Sequence, residues 1–147
     1  MLSFDTNILV YAADRHAGAR HTESVTLLSA AAWRGAALTE QSLIEFLNVA
    51  TRKRNQPLVA ASAIVRNWLQ LFPLLLPPAS IVDDTLSFLT SYRLSIWDAH
   101  MLATCASNGC HALISEDLAD GAHYGPVQVL SPFNPHNASL IGNLLGP

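Results

Sequence analysis

Acidic side chains carry most of the chemistry that this 147-residue sequence offers. Asp5 stands directly after the apolar run Leu2–Phe4. Glu45 and Asp98 lie early in helix-patterned stretches, and Glu116, Asp117 and Asp120 follow the run Ala112–Ser115. No paired Cys/His set, nucleophile elbow or glycine-rich phosphate loop competes with them. Carboxylates brought together repel one another and stay protonated unless a cation joins them. Ligands made only of hard oxygens suit Mg²⁺ or Mn²⁺. The acids therefore ask for a fold that gathers them at one edge.

The apolar patterning predicts such a fold. Leu2–Phe4, Ala36–Thr39, Leu74–Leu76, Ala112–Ser115 and Val127–Leu130 read as short strands. Between them, helical spacing covers Asn7–Ala12, Ala19–Trp33 with Gly35 as its C-capping glycine, Glu40–Arg54, Pro57–Phe72, Ile81–Ser91 and Trp97–Ser107, the last ended by Asn108-Gly109. Strands separated by helices indicate parallel βαβ units, hence an α/β chain with a three-layer α/β/α arrangement and a central parallel sheet. Residues 1–147 read as one domain. In such folds ligands collect beyond the carboxyl ends of the strands, where Asp5 and Asp117 fall.

Each acid also has an ordinary structural reading. Asp5-Thr6-Asn7 suits a helix N-cap. Ser95-Ile96-Trp97-Asp98 resembles a capping box in which Asp98 bonds back to the Ser95 backbone. Yet Asp98 shares a helical face with Leu102 and Cys105, an apolar stripe where a solvated acid is out of place. Gln41, Glu45, Asn48 and Arg52 align on one face opposite Leu43, Phe46, Leu47 and Ala50, a pattern that serves a solvated face or a cleft wall equally. Glu116, Asp117 and Asp120 suit a turn ahead of a short helical segment. His100 reads as structural, His16 and His21 as surface residues, and Trp33, Trp68 and Trp97 as core or interface. Cys105 and Cys110, too few for a disulfide framework, read as small core residues.

Taken in order, Phe4-Asp5-Thr6-Asn7, Gln41 to Phe46 with Glu45, Trp97-Asp98-Ala99 and Ser115-Glu116-Asp117-Leu118 resemble the PIN domain, and most of all the VapC-like ribonuclease toxins of toxin–antitoxin pairs. Asn48 to Lys53 and Ser131-Pro132-Phe133-Asn134 match the same branch. The likeness spans about residues 1–134 and leaves the tail 135–147 without a role. It implies a metal-dependent endoribonuclease with Asp5, Glu45, Asp98 and Asp117 lining the site. Glu116 and Asp120 are further candidates for the fourth acid. Thr6, Asn7 and Ser115 would orient the ligands. One or two Mg²⁺ or Mn²⁺ ions held there would activate water against an RNA phosphodiester. Arg52-Lys53-Arg54, the only basic run, would hold flanking phosphates or simply complement a helix C-terminus.

Composition bounds the remaining readings. Charged residues are only 13% of the chain against 50% hydrophobic, about half the usual charged share, so apolar surface is left to cover. That favours a homodimer and a protein partner, the latter implied by the resemblance to be a cognate antitoxin. A net charge of −3 argues against broad adhesion to nucleic acid but leaves a localised nuclease site open. No apolar stretch approaches the ~18–20 residues of a membrane span, and no secretory signal follows Met1; a cytoplasmic protein is expected. The alternative is a catalytically inert PIN-like module binding protein or RNA. An aspartyl phosphatase would want a second Asp two residues after the first, where Asn7 stands, and a receiver domain would want paired acids ahead of its phosphoacceptor strand.

Overall fold

The computed structural model describes residues 1–146; Pro147, the last residue of the tail, lies outside them. Five strands run parallel: β1 (Leu2–Phe4), β2 (Ala36–Thr39), β3 (Leu74–Leu75), β4 (Ala112–Ile114) and β6 (Val127–Leu130). An antiparallel edge strand, β5 (His123–Tyr124), closes the order β3-β2-β1-β4-β6-β5. Leu2 pairs with Ala36 on one side and Ala112 on the other, and Phe4 pairs with Ile114, which pairs with Leu130.

This register sorts side chains by the two-residue alternation of strands. Leu2, Phe4, Leu38, Ala112 and Ile114 face one layer, formed by α1 (Thr6–Ala13), α2 (Ala19–Ala31), α3 (Glu40–Asn48), α4 (Leu58–Leu71) and α7 (Ala138–Leu145). Ala37, Leu113, Val127 and Val129 face the other layer, where α6 (Ile96–Ser107) contributes Met101, Leu102 and Cys105, and α5 (Ile81–Ser91) adds Phe88. The expected three-layer α/β/α arrangement is present, with both cysteines buried as free thiols.

The differences from expectation are local. Helix α2 stops at Ala31, two residues before Trp33, which itself takes the left-handed conformation (φ 64°). Gly35 is therefore not the helix cap. A Cβ on it would lie 3.1 Å from the Leu144 carbonyl, so glycine is needed where α7 packs over the start of β2. The tail thus belongs to the fold: its Ile141 and Leu145 are buried. No helical segment comes directly after Asp117 and Asp120; the chain passes through Gly121 into β5, an antiparallel edge strand beside the expected central parallel sheet. The helix begun at Glu40 ends as a π-helical turn, Val49–Lys53. Trp68 is buried, but Trp33 and Trp97 lie on the surface rather than in the core. Among the described residues no helix is long and apolar enough to cross a membrane.

Candidate active site

The acids are positioned from strand ends and from capped helices. Hydrogen bonding continues one residue past the strands: the Asp5 N–H donates to Ile114 O (2.9 Å) and the Ser115 N–H to Leu130 O (3.1 Å), which places both at the carboxyl edge. Asp5 is also the N-cap of α1, its Oδ1 accepting from the Thr6 N–H at 2.6 Å. Thr39 caps α3 by accepting from the Ser42 N–H, setting the helix that carries Glu45. Ser95 caps α6 and accepts from the Asp98 N–H (3.1 Å). The reciprocal bond runs from the Ser95 hydroxyl to Asp98 Oδ2 (2.7 Å), not from the backbone as the capping-box reading had it.

Asp5, Glu45, Asp98 and Asp117 line one cleft of about 350 Å³, together with Thr6, Asn7, Tyr11 and Arg54. Ser115 stitches its floor: its hydroxyl donates to Asp5 Oδ2 (2.6 Å) and accepts from the Asp117 N–H (3.2 Å). Asn7 Nδ2 reaches Asp5 Oδ2 at 3.2 Å, while Asn7 Oδ1 is buried with no hydrogen-bond partner among the described residues. The Thr6 hydroxyl donates to Glu45 Oε2 (2.9 Å) and Gln41 Nε2 to Glu45 Oε1 (2.6 Å). Thr6, Asn7 and Ser115 thus touch the acids directly. Gln41 is not among the expected site residues; its place one helical turn before Glu45 is the signal that marks it.

Glu116 and Asp120 lie elsewhere. Glu116 is held by Arg20, whose Nε donates at 2.8 Å, and by the Tyr11 hydroxyl (2.6 Å), and Arg20 keeps its pKa low. Asp120 accepts from the Ser131 N–H, Asn134 and Asn137 and is held ionised by those bonds. In the basic run, Arg54 reaches the cleft and pairs with Asp14, Lys53 faces a neighbouring groove, and Arg52 is exposed. His100 donates to Gln41, His16 is exposed and His21 bonds the Tyr11 carbonyl.

Asp5, although it too accepts hydrogen bonds, shifts in the opposite sense. Burial pushes its pKa up from the usual 3.8 to about 6; Ser115 and Thr6 pull it down, and the charges of Asp117 and Asp98 push it up again. The folded chain therefore binds the Asp5 proton more tightly than the unfolded chain. Between about pH 4 and 6 the native state carries more protons, so stability falls as pH rises through that window, by about 3 kcal/mol from this group, and is flat above it. Glu116, Asp14 and Asp120, all held low, act in the opposite sense at lower pH. The clean readout is thus the difference between wild type and Asp5→Asn, in thermal melts with chelator from pH 4 to 7. Wild type should lose stability relative to the variant as pH rises.

The donors suit a hard divalent ion: oxygen only, one carboxyl whose charged form is disfavoured by burial and then by its acidic neighbours, and one buried amide oxygen without a partner. Among the described residues no three His, Cys, Asp or Glu side chains close into a finished ligand set; Glu45 and Asp98 turn oxygens toward Gln41, Thr6 and Ser95 instead.

The sheet and cleft define an α/β domain with a carboxylate-lined site at the carboxyl ends of its parallel strands. The chain belongs to the PIN-domain family, whose model matches residues 3–119. Its fold is similar to that of VapC20 of Mycobacterium tuberculosis, described as a sarcin–ricin-loop-cleaving toxin (19% identity, TM-score 0.67, 87% of this chain and 99% of that one). It is also similar to a chain of a toxin–antitoxin complex from Klebsiella pneumoniae (24%, 0.64, 90% and 98%) and one of FitAcB from Neisseria gonorrhoeae (15%, 0.69, 91% and 99%). No curated protein sequence matches the chain significantly.

Proposed function

We propose that this chain is a metal-dependent endoribonuclease and the toxin of a toxin–antitoxin pair. The observation that carries the reading is the meeting of Asp5, Glu45, Asp98 and Asp117, drawn from four separate elements, in one cleft. Glu116 and Asp120 each have their own partners outside the cleft, whereas these four share one cleft without a basic partner bonded to any of them; carboxylates gathered in that way suit a cation. Asp5 and Asp98 are the primary ligands for Mg²⁺ or Mn²⁺, with Asp117 and Glu45 completing the set. When bound, the ion lowers the pKa of water and stabilises charge developing on the phosphodiester. Ser115 fixes the spacing of Asp5 and Asp117. Thr6 and Gln41 hold both Glu45 oxygens, and this fixed carboxylate orients the attacking water. Arg54 and Lys53 hold flanking phosphates, with Arg52 further out.

The same reading has the chain act in the cytoplasm, pair with a second copy and be silenced by an antitoxin. The antitoxin covers exposed apolar surface and sets a basic side chain against the acids. The toxin–antitoxin complex from Klebsiella pneumoniae that shares the fold supports that partner.

The test is cleavage of total cellular RNA by the purified chain. Discrete fragments are expected with Mg²⁺ or Mn²⁺ and none with EDTA. Asp117→Asn should abolish them, whereas Glu116→Gln, which loosens only the Arg20 and Tyr11 contacts, should change the rate less than about threefold. Equal loss in both variants would place the fourth acid wrongly. Metal bound by an intact fold without cleavage would favour the inert binding module.

A further inference from the structure

The acid cleft shares Glu45 and Val49 with a second groove of about 760 Å³, more than twice its size. A nucleobase is poorly suited to a cluster of carboxylates. Its faces want a flat apolar partner, and its edges want donors and acceptors. The neighbouring groove offers these. Trp97, immediately before Asp98, leaves 66% of its surface exposed on the groove wall, beside Ile44, which is 57% exposed. Asn48 brings a side-chain amide and Lys53 an ammonium.

This wall is built rather than incidental. Gln41 Nε2 donates to the Trp97 carbonyl (3.0 Å) and to Glu45 Oε1 (2.6 Å), spending both amide hydrogens on acceptors. His100 Nδ1–H then donates to Gln41 Oε1 (2.5 Å), which assigns the tautomer and leaves the amide fully used. One side chain of α3 therefore locks the first turn of α6, with Trp97 on it, at a fixed distance from Glu45.

We infer that this groove is a nucleobase subsite next to the scissile phosphate, with the Trp97 indole as stacking platform, Asn48 reading the base edge and Lys53 on the adjoining phosphate. The inference rests on the ribonuclease reading and assigns single-stranded RNA as the form bound, because a paired base presents no free face. A surface built for another protein is depleted of charged groups at its centre. Here Lys53, Glu45 and Glu40 line the groove itself, and since two of the three are carboxylates, Lys53 is the contact left for phosphate while the base is held by the Trp97 face.

The experiment compares wild type, Trp97→Ala and Trp97→Phe on short single-stranded RNAs that vary at the cut. Binding is followed separately in the Asp98→Asn background, which does not cleave. Trp97→Ala should raise KM and Kd roughly 5- to 150-fold, the range for losing one base stack, with kcat changed less than about threefold and base preference at the cut flattened. Trp97→Phe keeps an aromatic face and should restore most of both. A melting curve confirms that the exposed Trp97 is dispensable for folding. Unchanged KM and base preference in Trp97→Ala, while wild type cleaves, overturns this inference alone. So does a shift from dimer to monomer in sedimentation with RNA binding unaltered, which would assign the face to a second copy. Wild type that neither binds nor cleaves RNA overturns the ribonuclease reading as well.

Discussion

Replacing Asp5 by Asn is expected to abolish metal-dependent RNA cleavage, by on the order of 10²–10³-fold or more, while leaving the fold at least as stable as before. Asparagine keeps an oxygen for the Thr6 N–H and a polar atom facing the Ser115 hydroxyl, which rotates to accept instead of donate. Asn7, whose Nδ2 donates to Asp5 Oδ2, turns its unpartnered Oδ1 to that position instead, so the net change is the loss of the charge. In the folded chain that charge is disfavoured mainly by burial, with Asp117 and Asp98 adding repulsion, so above pH 6 the substitution relieves up to about 3 kcal/mol. Asp98→Asn should silence cleavage equally yet stabilise nothing. Its carboxylate is less buried, accepts from the Ser95 hydroxyl and sits in the first turn of α6, where a negative charge contributes about 0.3–1 kcal/mol. Cleavage assays with Mn²⁺ beside melts in chelator check both. Undiminished cleavage by either variant would remove that acid from the site.

The opposite stability effects follow from how the fold assembles the site. Asp5 is delivered by the central strand, whose neighbours on both sides bury it. Asp98 arrives on the first turn of α6 and Glu45 on the second turn of α3, both partly solvated, and Asp117 arrives on an exposed loop tied down by Ser115. Burial is thus concentrated on one acid, and that acid is the one whose charged form the fold disfavours.

Much of this was legible in the residues. The alternation of Leu2, Ser3 and Phe4, and the helical face Leu43, Phe46 and Ala50, decide which way strands and helices turn, because burial is local and periodic. Asp5 was legible both as a cap and as a site acid, and it is placed to be both. Illegible were features set by distant partners. Gly35 looks like a helix cap, but its reason is a carbonyl more than a hundred residues away. Glu116 and Asp117 are neighbours of the same chemistry, separated only by Arg20 and Tyr11 reaching one and Ser115 anchoring the other. The tail has modest apolar content and no strong pattern, and its burial depends on α2 and β2 already being in place. Trp97 gives no sign in sequence of facing outward, since the same residue type at helical spacing usually fills a core.

Phe46→Ala separates the scaffold from the chemistry. The ring is 1% exposed and meets Trp68 edge to face at 4.8 Å, joining α3 to α4 on the side of α3 opposite Glu45. Deleting it leaves a cavity between two helices that the sheet holds in place, so the site cannot collapse fully. The expected cost is about 3–5 kcal/mol, a large share of the roughly 5–15 kcal/mol that domains possess. The melting temperature should fall by roughly 6–20 °C. Cleavage well below the new midpoint should nevertheless stay within a few-fold of wild type, because Glu45 is held by Thr6 and Gln41 and not by Phe46. Glu45→Gln should show the reverse, a nearly unchanged melt with cleavage lost. If Phe46→Ala instead loses cleavage at temperatures where it is fully folded, the position of α3, and with it Glu45, is set by core packing rather than by the polar contacts across the cleft.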